Sequence, residues 1–177
     1  MSNSALATAA ILGDFRNFLY LVWKHLNLPD PTPVQYDIAQ YLQACYEGRE
    51  DVGKRVIIEA FRGVGKSWIT SAFVVWVLLR DPQEKVLVVS ASKDRSDAFT
   101  VFTKRLISDL PICKHLRPRP GQRDSTISFD VGPAQAAHAP SVKSIGITGQ
   151  ITGSRAGMIV ADDVETPKNS LTQLQRD

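Results

Sequence analysis

Sulfur and imidazole are scarce in this chain. Its two cysteines, Cys45 and Cys113, lie far apart, and its three histidines, His25, His115 and His138, are scattered. None of them shows metal-ligand spacing, which argues against a zinc site and against a disulfide framework. Long apolar runs are missing too. The most apolar stretch, from Trp68 to Leu79, holds twelve residues. As a helix it spans about 18 Å, short of the roughly 30 Å of a bilayer core, and suits a helix buried against a sheet. Nothing at the start resembles a cleaved signal peptide, so the expected location is the cytosol with no membrane partner. A strong charge of one sign is also lacking: the net charge is +3, so a polyanionic partner has to be argued from local clusters. What remains is a globular composition, 44% apolar and 22% charged over 177 residues, enough for one domain with its own core.

Against that background the stretch Ala60-Phe61-Arg62-Gly63-Val64-Gly65-Lys66-Ser67 organises the chain. It follows the apolar run Val56-Ile57-Ile58 and precedes the apolar segment that starts at Trp68. Strand, glycine loop, helix is the setting a phosphate-binding loop needs. Gly63 and Gly65 let backbone N–H groups turn toward an anion. The positive end of the helix that begins near Lys66 points the same way. In such a loop Lys66 reaches the β- and γ-phosphates of ATP, and Ser67 offers its hydroxyl to Mg2+. Ala60 stands where the usual pattern has a glycine; Gly-x-Gly-Lys-Ser is whole.

Residues 1–10 are small and polar, which predicts a frayed start over 1–12. Phe15, Phe18, Leu19, Val22, Trp23 and Leu26 recur at helical spacing and predict an amphipathic helix over 14–26. Thr32 and Pro33 mark the cap and first position of a helix over 33–47. Gln35 lies near its start. In many helicase-like and motor ATPases a Gln beside a proline here reads the adenine edge, because an amide both donates and accepts; a solvated helix residue is the plain alternative. Strands predicted at 55–59, 86–89, 126–131 and 142–148, with helices at 66–79 and 94–110, give an α/β sheet with helices on both sides. Residues 114–123 carry four formal positive charges and no acid. Their prolines predict an extended loop, either simply solvated or touching a phosphate backbone or a neighbouring subunit.

The second half of the chemistry is Met158-Ile159-Val160-Ala161-Asp162-Asp163-Val164-Glu165. Four apolar residues followed by acids have the form of a Walker B strand. Asp162 would hold Mg2+ through its water shell, and a following acid would orient or deprotonate the attacking water. In an extended segment Asp163 and Glu165 fall on one face, so either could act. Adjacency to Asp162 favours Asp163, and side-chain length favours Glu165; Asp163 is the preferred choice.

Residues 61–67, 89–93, 117–125, 146–156 and 161–165 together resemble the large terminase subunit of short-tailed, double-stranded DNA phages, over about 14–165. The resemblance implies a P-loop NTPase of the additional-strand catalytic-E type, a three-layer sandwich with a mostly parallel sheet, over 13–177. It implies an ATPase that couples hydrolysis to translocation of double-stranded DNA into the procapsid. A homo-oligomeric ring, the portal protein and the small terminase subunit come with it, in the host cytoplasm and transiently at the portal vertex. Arg62 matches an arginine that senses or stabilises phosphate charge. Arg155 matches one that can act across the ring on a neighbour's nucleotide, where it would neutralise charge built up in phosphoryl transfer. The family's subunit also has a nuclease domain, and a strand between the Walker A and Walker B strands; neither follows Glu165 here. The expectations are therefore a sheet incomplete at the C-terminus, no DNA cutting, and little or no ATP hydrolysis by this chain alone. A helicase-like translocase and a non-catalytic chain that binds only nucleotide or a partner are the alternatives.

Overall fold

A computed structural model describes residues 3–49, 55–149 and 154–164. Helix α1, Asn3–Gly13, occupies the segment whose composition suggests fraying. It is tied down from outside: Trp76 Nε1 donates to the Ile11 carbonyl at 3.0 Å and Asn17 Nδ2 to that of Ala10 at 3.0 Å. Helix α2, Phe15–His25, starts where the Asp14 carboxylate accepts the Arg16 N–H, and it buries Phe15, Phe18, Leu19, Val22 and Trp23 as its periodicity predicts. Helix α3, Pro33–Tyr46, begins with a full capping box between Thr32 and Gln35.

Helix α4, Lys66–Arg80, follows the glycine turn and buries residues on every side. A helix apolar all round must be surrounded. Here α1, α2, α3 and α5, Lys93–Asp109, supply the cover. At its centre Trp76 is fully buried against Phe15 and Phe73, with the Arg80 guanidinium 4.6 Å above its ring.

The sheet runs β2-β3-β1-β4, with β1 Val86–Ser90, β2 Ser128–Phe129, β3 Val142–Gly146 and β4 Met158–Asp162. Both β3 and β4 are parallel to β1; β2 is antiparallel on β3. The protein is thus α/β with a mixed, mostly parallel sheet. Val86, Val88 and Val142 face the main core, to which the helices contribute. On the other face of β1, Leu87 and Val89 are buried as well. Ile159, the register partner of Leu87 on the edge strand β4, is 66% exposed. Among the described residues no single helix is long and apolar enough to cross a membrane.

Three predicted strands come out differently. Residues 55–60 belong to no strand. They keep the period-two burial of an extended chain, with Ile58 and Ala60 packed on the core and Ile57 86% exposed, but they lack a ladder partner. A cavity of about 740 Å³, lined by Val56 and Ile58 on one side and by Ile159, Val160 and Ala161 on the other, separates them from β4. Strands pair only at about 4.8 Å, so neither segment can complete the other. The strand predicted at 126–131 shrinks to Ser128–Phe129 because Val131 N–H turns to Ser141 Oγ and Asp130 Oδ1 accepts the Ser141 N–H. That predicted at 142–148 stops at Gly146, where the Gly149 N–H closes a turn onto the Gly146 carbonyl at 2.7 Å. Residues 114–116, the start of the predicted extended loop, instead belong to a 3-10 helix, Pro111–Leu116.

Candidate functional site

The glycine turn has the backbone its sequence requires. Gly63 and Gly65 sit at φ 91° and 84°, in the left-handed region where a Cβ is strained. Gly65 is also the N-cap of α4, with its carbonyl accepting from Trp68 and Ile69 at 3.0 Å. No side chain caps this helix start, so the N–H groups ahead of those two, on Lys66 and Ser67, suit an outside acceptor. Lys66 Nζ donates to the carbonyls of Ala60 at 2.7 Å and Phe61 at 3.3 Å. The ammonium is thereby held at the mouth of the turn. Val64 is buried at 4%, so its side chain serves packing and only its backbone can face a ligand.

The end of β4 meets this turn. Ser67 Oγ donates to Asp162 Oδ1 at 3.1 Å across 95 residues of sequence. Burial raises the Asp162 carboxyl above its ordinary pKa; the Ser67 hydrogen bond opposes it, the Asp163 charge adds to it, and Arg95 and Lys66 offset part of it. Two hard oxygen donors, a hydroxyl and a carboxylate held reluctantly in its charged form, fit a divalent cation that also takes phosphate and water oxygens. Among the described residues no group of three or more His, Cys, Asp or Glu side chains could hold a metal by itself.

Asp163 departs from the extended geometry assumed for residues 162–165. It lies at φ 48°, so the extended backbone assumed for the segment ends at Asp162. Its carboxylate stands 3.7 Å from Arg95 Nη1. Glu165 lies outside the described residues.

A second cavity, about 490 Å³, adjoins the turn and is lined by Arg62, Gly63, Gly65, Lys66, Ser67 and Asp163. Trp23, Pro29, Thr32, Gln35 and Trp68 also line it. Trp68 is 43% exposed, stacked on Phe102 at 5.8 Å and edge-on to Trp23 at 6.5 Å. Gln35 does reach the site, with its amide already engaged by Thr32 and Val64. Arg155 is exposed and lines neither cavity.

Sequence reasoning missed Arg95 and Trp68. A signal existed for Arg95: it sits in the first turn of α5, directly beyond the C-terminal end of β1, where parallel sheets gather their sites. For Trp68 the signal was masked, because it opens a run of core residues.

Two of the four cations of the basic segment make structural hydrogen bonds. Arg117 donates to the Ser108 carbonyl. Arg123 pairs with Asp130 at 2.9 Å and donates to the carbonyls of Ala137 and His138. Lys114, Arg117 and Arg119 are exposed, and only Arg123 has an acid, Asp130, as its partner, so the segment keeps a net positive face toward solvent.

Comparison with known proteins converges on one family. A family model described as "Terminase large subunit, T4likevirus-type, N-terminal" matches residues 57–177. The chain is also 56% identical over 176 residues to "Terminase, large subunit" of Enterobacteria phage T3. That alignment covers 99% of this chain and 29% of the relative, so the chain spans less than a third of that protein's length. The glycine turn and the β4 acids both fall within the matched region, and the chain belongs to the terminase large-subunit family.

Proposed function

We propose that this chain is the ATP-hydrolysing part of a phage DNA-packaging motor, a P-loop ATPase of the additional-strand type. The observation that carries it is the Ser67–Asp162 contact, which joins the turn before α4 to the acidic end of β4. Family membership supports the motor assignment.

Each residue then has a role. The Gly63–Gly65 backbone and the α4 N-terminus would cradle the phosphates. Lys66 would exchange its carbonyl partners for β- and γ-phosphate oxygens. Ser67 and Asp162 would hold Mg2+, which supplies charge neutralisation for phosphoryl transfer. Arg62, exposed at the cavity mouth, would add positive charge there. Asp163, which lines both cavities, would orient the attacking water; Glu165 remains the other candidate. Arg155, exposed and away from this site, is free to serve a neighbouring subunit in a homo-oligomeric ring. Double-stranded DNA, the portal protein and the small terminase subunit are the proposed partners, in the host cytoplasm at the portal vertex.

The test is an ATP titration with Lys66→Ala as control, followed by a turnover assay. Binding that Lys66→Ala weakens at least tenfold supports the proposal; binding indifferent to that change overturns it. Strand-separation assays distinguish the helicase-like alternative, since a packaging motor moves duplex without opening it.

A further inference from the structure

Gln35 stands outside the glycine turn and 29 residues before Val64, yet one hydrogen bond joins them: its Nε2 donates to the Val64 carbonyl at 2.9 Å. The same amide's Oε1 accepts the Thr32 N–H at 2.9 Å. The Gln35 N–H in turn donates to Thr32 Oγ1 at 3.4 Å, which completes the α3 capping box. One side chain therefore fastens the middle residue of Gly63-Val64-Gly65 to the rigid start of a helix. We infer that Gln35 is a positioning residue that holds the glycine turn in its anion-binding shape before any ligand arrives. The inference rests on the phosphate-site proposal above.

The physical need is clear from the residues held. Val64 lies between two glycines at positive φ, the positions with most conformational freedom to lose. Left unbraced, the turn would spread over many conformers, and affinity would fall with the competent fraction. Gln35 grips Val64 from the carbonyl side while the buried Val64 side chain grips from the core side. Gln35 Nε2 and Trp23 Cζ2 also lie 3.7 and 3.9 Å from where a Cβ on Gly65 would stand, so the second glycine is packed as well. The two bonds fix which way the amide faces. Its carbonyl end points to Thr32 and its NH2 end to Val64, with one N–H and one lone pair left over.

A brace and a reader of the base make different predictions. A base reader matters only for ligands that carry a base. A brace matters equally for a bare phosphate chain. Gln35→Glu separates the two, because Glu keeps the acceptor that closes the capping box but turns the donor facing Val64 into an anionic oxygen. Gln35→Ala removes both contacts and serves as the second variant.

The experiment is calorimetric titration of magnesium tripolyphosphate and of magnesium ATP into the wild-type chain, Gln35→Glu, Gln35→Ala and Lys66→Ala. Gln35→Glu should weaken both ligands alike, by about five- to tenfold, the worth of one part-buried hydrogen bond and a little more. Lowering the pH toward the ordinary glutamic acid pKa of about 4.3 should recover part of that deficit relative to wild type, since a protonated carboxyl can again donate to Val64. Tripolyphosphate binding by Gln35→Glu equal to wild type, with ATP binding alone weakened, overturns the brace and makes Gln35 a base reader. A wild-type chain that binds neither ligand overturns the phosphate-site proposal itself, and the brace with it.

Discussion

β1 and β4 pair along their whole length, yet their surroundings differ. All five residues of β1 are buried, whereas β4 alternates, with Met158, Val160 and Asp162 partly covered and Ile159 exposed. Their sequences are equally apolar through Val86-Leu87-Val88-Val89 and Met158-Ile159-Val160-Ala161. The difference is position. β1 has a parallel neighbour on each side and α5 across its face, while β4 has β1 on one side and the 740 Å³ cavity on the other. Apolar strand composition reports a capacity for burial; the number of neighbours is decided by the rest of the sheet.

Substitutions on the two sides can break that contrast. The largest effect is expected deep in the covered half: Trp76→Ala should cost about 3–5 kcal/mol in chemical denaturation, through lost ring packing and the orphaned Ile11 carbonyl. Val88→Ala, in the fully buried strand, should cost about 1.5–3 kcal/mol by the same measurement. A smaller change of opposite sign is expected at the end of β4. The folded-state pKa of Asp162 is raised above its ordinary 3.8, so the folded state holds that proton more tightly than the unfolded one. The resulting stability is present below 3.8 and is lost as pH rises through the folded pKa. Asp162→Asn should therefore stabilise the ligand-free protein at pH 7, by less than about 1 kcal/mol after solvent screening, with the gain shrinking toward pH 3.8. Smallest of all, Ile159→Ala should fall within about 0.5 kcal/mol of wild type. An Ile159→Ala cost matching that of Val88→Ala would show that β4 is covered in solution.

Much of the site was legible because its backbone demands are local. Gly63 and Gly65 need positive φ, Thr32 and Pro33 announce a helix start, and an apolar run ending in Asp162 announces a strand end; each reads from a few neighbours. What failed depends on partners. Whether residues 55–60 pair is set by a strand elsewhere in the sheet, which a local run of Val56-Ile57-Ile58 cannot encode. The left-handed turn at Asp163 was hidden because aspartate enters that region without a glycine's signal. The charge of Arg117 and Arg123 was visible, but not the backbone carbonyls and the Asp130 carboxylate that they bond to. Trp68 looked like core by composition and is instead a cavity wall.

The glycine turn and β4, joined by the Ser67–Asp162 contact, would together build one cation-assisted phosphate site. Calorimetric ATP titrations with and without Mg2+, on wild type and Asp162→Asn, test it most directly. Mg2+ should tighten ATP binding to wild type by at least tenfold, and Asp162→Asn should abolish that gain while leaving Mg2+-free binding intact. An equal Mg2+ enhancement in the two proteins would contradict the claim.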